Sequence, residues 1–235
     1  MTIDANTKSL LHFDGANNST TFTDETGKTW TAHGNAKIST AQYKFPTGSG
    51  LFDGAGDYID TPDHADFNFG SSDFTVDFWF RFSASFPSYE TRYLAGQCNS
   101  GLGSNSFHFY SYYDIASYTT PKLYVTSIFG TVEFGTGYNA FPSWNHAALV
   151  RSGTTFMFFI NGQSSASDVI SASALTNSSS KLSIGRAGEY NAEMFPGNID
   201  EFRISNIARW TSTFTPSGHP YGASSFIPKI IFSGE

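Results

Sequence analysis

Residues 88–139 carry tyrosines and amides at close spacing: Tyr89, Tyr93, Asn99, Asn105, Tyr110, Tyr112, Tyr113, Tyr118, Tyr124 and Tyr138. Recognition of a sugar asks for flat rings that stack on C–H surfaces and planar polar groups that bond hydroxyls, and this stretch holds both kinds. Tyr110, Tyr112, Tyr113 and Asn105 are the ligand candidates drawn from it. Trp79 adds a larger ring, and in an extended strand it shares its face with Asp77 and Arg81. Trp79 and Arg81 therefore join the candidate set, a buried anchor being the leading reading of Trp79 itself. Any one tyrosine is also an ordinary strand-surface residue, so the cluster carries the expectation rather than its members.

Catalytic chemistry is harder to assemble. The six histidines, at 12, 33, 64, 108, 146 and 219, fall in no His-Glu-x-x-His pattern, and neither a Gly-x-Ser-x-Gly elbow nor a phosphate-cradling glycine loop is present. A triad assembled from distant positions stays open. His146 lies inside a patterned strand, where a hydrogen-bonded structural histidine is expected. Cys98 is the single cysteine, which excludes an internal disulfide and a cysteine zinc cluster and suits a small buried hydrophobe. Asp200 and Glu201 are adjacent in a predicted strand, so alternation sends them to opposite faces.

The elements that must hold these groups are strands. Phe74, Val76, Phe78, Phe80 and Phe82 alternate with Thr75, Asp77, Trp79 and Arg81, a period of two that predicts a half-buried strand. Runs at 146–151 and 155–160 flank Ser152-Gly153-Thr154 as a hairpin, and Asn161-Gly162 marks a further turn. Shorter strands are predicted at 10–13, 36–38, 50–52, 58–60, 107–113, 123–127, 131–134, 181–184 and 199–204. Aromatics at 17% against 14% charged residues agree with extended structure, and no segment shows a convincing helical period. The chain of 235 residues is long enough for one large sandwich. A formal charge of −7 argues against a nucleic-acid partner. No stretch approaches the roughly 20 apolar residues of a membrane helix, and residues 1–8 have no basic patch followed by an apolar run, so neither membrane insertion nor a signal peptide is expected.

The order of motifs carries more than any one of them. Leu10-Leu-His-Phe-Asp-Gly15, Leu51-Phe-Asp-Gly-Ala-Gly-Asp-Tyr58, Asp73-Phe-Thr-Val-Asp-Phe-Trp79, Trp144-Asn-His-Ala-Ala-Leu-Val-Arg151, Phe158-Phe-Ile-Asn-Gly162, Leu182-Ser-Ile-Gly-Arg186 and Gly197-Asn-Ile-Asp-Glu-Phe-Arg-Ile204 follow one another along the chain. Together they resemble the laminin G-like branch of the concanavalin A-like lectin and glucanase superfamily. The resemblance implies an all-β fold, a jelly-roll sandwich of two antiparallel sheets, over residues 1–221, with 222–235 as a tail that docks on its own domain or on a partner. It also implies a structural calcium ion, for which Asp24 and Asp200 are the preferred ligands and Asp14 the third; Asp53 and Asp57 offer further oxygens. Asp14 and Asp53, each followed by glycine, read equally as Asx turns.

Glucanases of this superfamily carry paired glutamates about an aspartate on one strand, a constellation missing here. Residues 204–216 resemble the version of the domain found in bacteriophage tail and bacterial surface proteins. The expectation is a non-catalytic adhesion or carbohydrate-binding module on a virion or extracellular surface, assembled as a homo-oligomer, whose partner is a cell-surface glycan. A decoration or tail protein that binds other virion subunits is the first alternative, and a glycoside hydrolase the second.

Overall fold

The fold follows from a computed structural model that describes residues 3–83, 89–102, 107–113, 122–134, 142–164 and 168–222. The expected tail lies outside the described residues apart from Gly222. In chain order the strands are β1 (Thr7–Leu11), β2 (Thr31–His33), β3 (Lys37–Ser39), β4 (Ser49–Asp53), β5 (Tyr58–Thr61), β6 (Phe74–Phe82), β7 (Glu90–Gln97) and β8 (Phe107–Tyr113). They continue as β9 (Lys122–Ser127), β10 (Gly130–Glu133), β11 (Asn145–Ser152), β12 (Thr155–Ile160), β13 (Gln163–Ser164), β14 (Val169–Ile170), β15 (Leu182–Ile184) and β16 (Pro196–Ser205). A 3-10 turn at Ala65–Phe67 is the one helical element among the described residues, so none of them forms a helix able to cross a membrane.

Two antiparallel sheets face each other, the all-β sandwich expected from the alternation. The first runs β13-β12-β11-β6-β16-β4-β3, with β1 beside β16 and β14 beside β12; the second runs β10-β9-β8-β7-β15-β5-β2. The Phe74-to-Phe82 row points inward, and Phe78 sits edge-on to Phe109 of the second sheet at 5.1 Å while stacking on Phe202 of the first at 5.7 Å. Each fully buried phenylalanine contributes roughly 1.5–3 kcal/mol, and this aromatic layer fixes which face of each sheet remains outside. The hairpin closes as predicted, Ser152 opposite Thr155, with Gly153 at φ +59.

The outer face of the first sheet is covered by the chain itself. Residues 206–222 run back across β11 and β12, where Trp210 and Phe214 stack at 3.9 Å and pack on Ala148, Val150, Met157 and Phe159. Gly162 permits this approach: its φ is +76, it accepts a hydrogen bond from the Phe214 amide, and a Cβ there would lie 1.9 Å from the Phe214 carbonyl oxygen. Beneath this strap the Asp77 carboxylate receives two Arg203 hydrogen bonds at 3.0 and 2.9 Å, and His146 Nε2 lies 2.9 Å from the Tyr221 hydroxyl. Burial raises the Asp77 carboxyl, but the Arg203 and His146 groups outweigh it and hold the pKa far below the usual range.

One expectation about this face is corrected. In β16, Asp200 pairs with Trp79 and Arg203 with Asp77, so two residues, Glu201 and Phe202, oppose Phe78. Glu201 takes a φ of +53 and Phe202 keeps its place in the core. The bulge resets the alternation, and both carboxylates reach groups that cover the outer face: Asp200 accepts the Lys44 and Phe45 amides, and Glu201 accepts the Tyr221 amide. Opposite faces, as strict alternation predicts, are therefore not what β16 provides.

Candidate functional site

Among the described residues, nothing covers the outer face of the second sheet around β7, β8 and β9. In β8 the sequence Phe-His-Phe-Tyr-Ser-Tyr alternates, burying Phe107, Phe109 and Ser111 and turning His108, Tyr110 and Tyr112 outward. Register aligns Tyr93 of β7, Tyr110 of β8 and Tyr124 of β9 in one row across the strands. Tyr110 and Tyr124 stack at 5.2 Å with planes 16° apart, and Tyr93 lies 5.6 Å from Tyr110 and 5.3 Å from Tyr190. A second bulge keeps Tyr93 on this face: Tyr93 pairs with Tyr110 and Ala95 with Phe109, while Leu94 and Ala95 both join the core. The next row places Gly96, His108 and Thr126 side by side. A Cβ on Gly96 would lie 2.6 Å from that of His108, so the bare backbone gives the imidazole its place.

Together Thr91, Tyr93, Leu102, His108, Tyr110, Tyr112, Tyr124 and Thr126 line a shallow groove of about 540 Å³. Among the described residues no formally charged side chain lines it. Burial pushes the His108 imidazole down to about 4 and the Tyr93 phenol upward, so both are neutral at ordinary pH. Further along the same sheet the surface becomes charged but self-paired. The Arg186 guanidinium lies 3.5 Å over the Tyr58 ring, His33 stacks on that ring at 4.3 Å, and Asp60 takes Lys181 at 3.0 Å and Arg186 at 3.6 Å.

Of the ligand candidates, Tyr110 and Tyr112 stand in the groove. Asn105 and the side chain of Tyr113 lie outside the described residues. Trp79 and Arg81 are on the other sheet and are not brought together with the tyrosines. Trp79 is only 6% exposed, with the Phe45 ring edge-on at 6.0 Å and the Lys44 ammonium 3.9 Å over its face, which closes it as a platform. Arg81 donates to the Pro142 carbonyl at 2.7 Å. His108 was not singled out by sequence; its one signal is its place in the alternating run between Phe107 and Phe109.

The three expected calcium ligands do not fit one ion. Both Asp24 oxygens are occupied by protein donors, from Ser9, Thr26, Trp30 and the Leu10 amide. Asp14 accepts the Thr47 amide and hydroxyl, and Asp53 accepts the Ala55 amide as an Asx turn. Asp200 Oδ2 accepts the Lys44 and Phe45 amides while Oδ1 is buried without a partner, and burial, with Glu201 and Asp14 nearby, pushes that carboxyl up to about 8. Among the described residues no three His, Cys, Asp or Glu side chains gather in a metal-binding group. Cys98 is buried and its thiol is pushed up to about 12, which suits packing and not nucleophilic attack.

A family model of the concanavalin A-like lectin/glucanases superfamily matches residues 53–212. No curated protein sequence matches the chain. Among solved structures, the binding domain of Paraclostridial Mosquitocidal Protein 1 superposes with a TM-score of 0.61 at 15% identity, covering 86% of this chain and 49% of that one. The ligand binding domain of botulinum neurotoxin serotype D, in complex with N-acetylneuraminic acid, gives 0.62 at 12% identity, covering 87% and 48%. Domain 4 of AbnA, a GH43 extracellular arabinanase from Geobacillus stearothermophilus in complex with arabinotriose, gives 0.51 at 17% identity, covering 86% and 93%. The chain spans about half the length of the two toxin domains, and at these identities the likeness is one of fold.

Proposed function

The chain belongs to the concanavalin A-like lectin/glucanases superfamily, and on that premise we propose that it is a non-catalytic carbohydrate-binding module whose ligand lies across the tyrosine groove of the second sheet. The observation that carries this reading is the row Tyr93, Tyr110 and Tyr124, in which Tyr110 and Tyr124 are half-buried and Tyr93 is buried beside them, on a face that the rest of the described chain leaves uncovered. Carbohydrate binding by fold neighbours, the toxin domain with N-acetylneuraminic acid and the arabinanase domain with arabinotriose, supports the same class of ligand.

The absence of catalysis is part of the proposal. Asp200 and Glu201 share a face and stand closer to a glycosidase pair than alternation allows, but both are almost fully buried beneath residues 44–45 and 221. A retaining glycosidase needs two carboxyl groups about 5–5.5 Å apart on either side of an accessible bond. The setting we propose is a virion or extracellular surface bearing many copies, where shallow sites gain from multivalency; the likeness of residues 204–216 to phage tail versions of the domain supports it.

The test is binding of the full chain to a glycan array, repeated with Tyr110→Ala and Tyr124→Ala. Retained glycans whose signal drops at least tenfold in both variants are the expected result. An array on which wild type retains nothing would move the reading to protein partners, and release of reducing sugar from any retained polysaccharide would contradict the non-catalytic part.

A further inference from the structure

We propose that the groove selects an uncharged glycan, and that the His108 imidazole at its floor supplies the hydrogen bond that orients a sugar hydroxyl between the tyrosine rings. The inference rests on the reading of this face as a carbohydrate site and goes beyond it by naming the ligand's charge and the residue that positions it.

Two independent features carry it. The first is the imidazole itself. His108 is 4% exposed and lines the groove, with the Tyr93 and Tyr110 rings 5.6 and 5.9 Å away. Its Nδ1 is closed off without a hydrogen-bond partner, and Nε2, which no described protein group bonds either, is the ring nitrogen left to meet a ligand. A polar atom taken from water and left unpaired costs roughly 1–3 kcal/mol, and a groove-lining imidazole whose Nε2 has no protein partner among the described residues is suited to one from outside. A neutral imidazole offers one donor and one acceptor, which matches a hydroxyl. Burial keeps it neutral down to about pH 4.

The second feature is where the cations are. A carboxylated or sulfated sugar needs a charge-assisted partner to offset its desolvation. The cations on the strands that build this face are committed: Lys122 pairs with Glu133 at 2.8 Å, Arg92 with Glu90, and Lys181 and Arg186 with Asp60. Glu133, paired with Lys122, also accepts from the Tyr124 hydroxyl, and Glu193 raises the Tyr93 phenol further, so the carboxylates beside the groove leave it no net positive charge. An anionic sugar laid on the tyrosines would meet neutral rings, a neutral imidazole and nearby carboxylates. An uncharged one meets rings for its C–H faces and His108 for a hydroxyl.

The experiment is isothermal titration of the full chain at pH 7 with neutral gluco-, galacto-, manno- and arabino-oligosaccharides and their carboxylated or sulfated counterparts. Wild type, Tyr110→Ala, His108→Phe and His108→Gln are compared, with circular dichroism and melting temperature recorded for each. The expected result is that a neutral member binds and its anionic counterpart binds at least tenfold more weakly. His108→Phe should lose at least tenfold in affinity, and His108→Gln should recover part of it, a rescue that a packing role would not give. Should His108→Phe not fold, His108→Gln and His108→Ala make the same comparison. Equal or tighter binding of the anionic member, lost in Tyr110→Ala, would overturn the inference and leave the carbohydrate reading standing. Wild-type affinity in a folded His108→Phe would overturn the role of the imidazole. No binding of any sugar would overturn both readings.

Discussion

The outer faces of the two sheets treat the same kinds of residue in opposite ways. On the first sheet Trp79, His146, Asp77 and Arg203 point outward, and the chain folds its own residues 40–47 and 206–222 over them, so that Trp210, Phe214, Phe45 and Tyr221 cover that face. On the second sheet Tyr93, Tyr110, Tyr124 and His108 point outward and no described residues cover the groove. On the first face Asp77 and Arg203 pair, while Asp200 Oδ1, Trp79 Nε1 and His146 Nδ1 stay buried without a hydrogen-bond partner under the covering residues. On the second, a buried imidazole nitrogen is likewise left without a protein partner. An aromatic residue facing out of a sheet is therefore no sign of a site by itself. What distinguishes the two faces is whether described residues of the chain cover them.

The largest effect that sharpens this contrast falls on the covered face. Arg203→Ala strands the Asp77 carboxylate, and breaking one side of a buried pair costs about 3–5 kcal/mol. In a domain of this size that lowers the melting temperature by on the order of 10 °C, read by thermal denaturation, while glycan affinity of the folded protein stays as in wild type. Gly162→Ala acts on the same face by driving a Cβ into the Phe214 carbonyl, and it should loosen residues 206–222, seen as faster amide exchange there.

On the open face the order of effects reverses. Tyr110→Ala should cost at least tenfold in glycan affinity, about 1.4 kcal/mol, with a melting temperature close to wild type, whereas Trp79→Phe should leave affinity unchanged. Loss of glycan binding in Trp79→Phe would break the comparison.

Asp200 gives a pH-dependent contrast. Its carboxyl is raised from 3.8 to about 8 in the folded protein, so between those values the folded state holds a proton that the unfolded chain has released. Its contribution to stability therefore declines as pH rises through that window. Asp200→Asn stays neutral throughout, and its melting temperature should gain on wild type progressively from about pH 4 to about pH 8. The smallest effect is that of chelator: with Asp24 and Asp14 held by protein donors and no three-residue metal group among the described residues, EDTA should shift neither melting temperature nor binding, as calorimetry would record.

Much of this was legible where periodicity is strong. The alternation of 74–82 predicts β6 and its inward phenylalanine face but a half-buried strand, whereas Thr75, Asp77 and Trp79 on the opposite face are buried too; the hairpin at 146–160 closes where Gly153 permits. β7 has no legible period because Glu90 and Arg92 dilute its pattern and the bulge at Leu94 breaks it, so Tyr93 stands out in the sequence only as an aromatic. The bulge at Glu201 was equally invisible, since nothing in Asp-Glu-Phe announces a positive φ. The tyrosine cluster predicted the composition of the groove but not its membership: Tyr110 and Tyr112 reach it, while Trp79 and Arg81 belong to the other sheet, a distinction that depends on which face the strap covers. His108 was passed over because its importance lies in a hydrogen bond it does not make, and no sequence pattern records that.

The most direct test of the two-face account is a hydrogen-exchange footprint of the full chain saturated with whichever oligosaccharide it binds. The account predicts slowed exchange in β7, β8 and β9, with residues 206–222 unchanged. Protection confined to 206–222 or to the loop at 40–47, with the tyrosine strands unaffected, would contradict it.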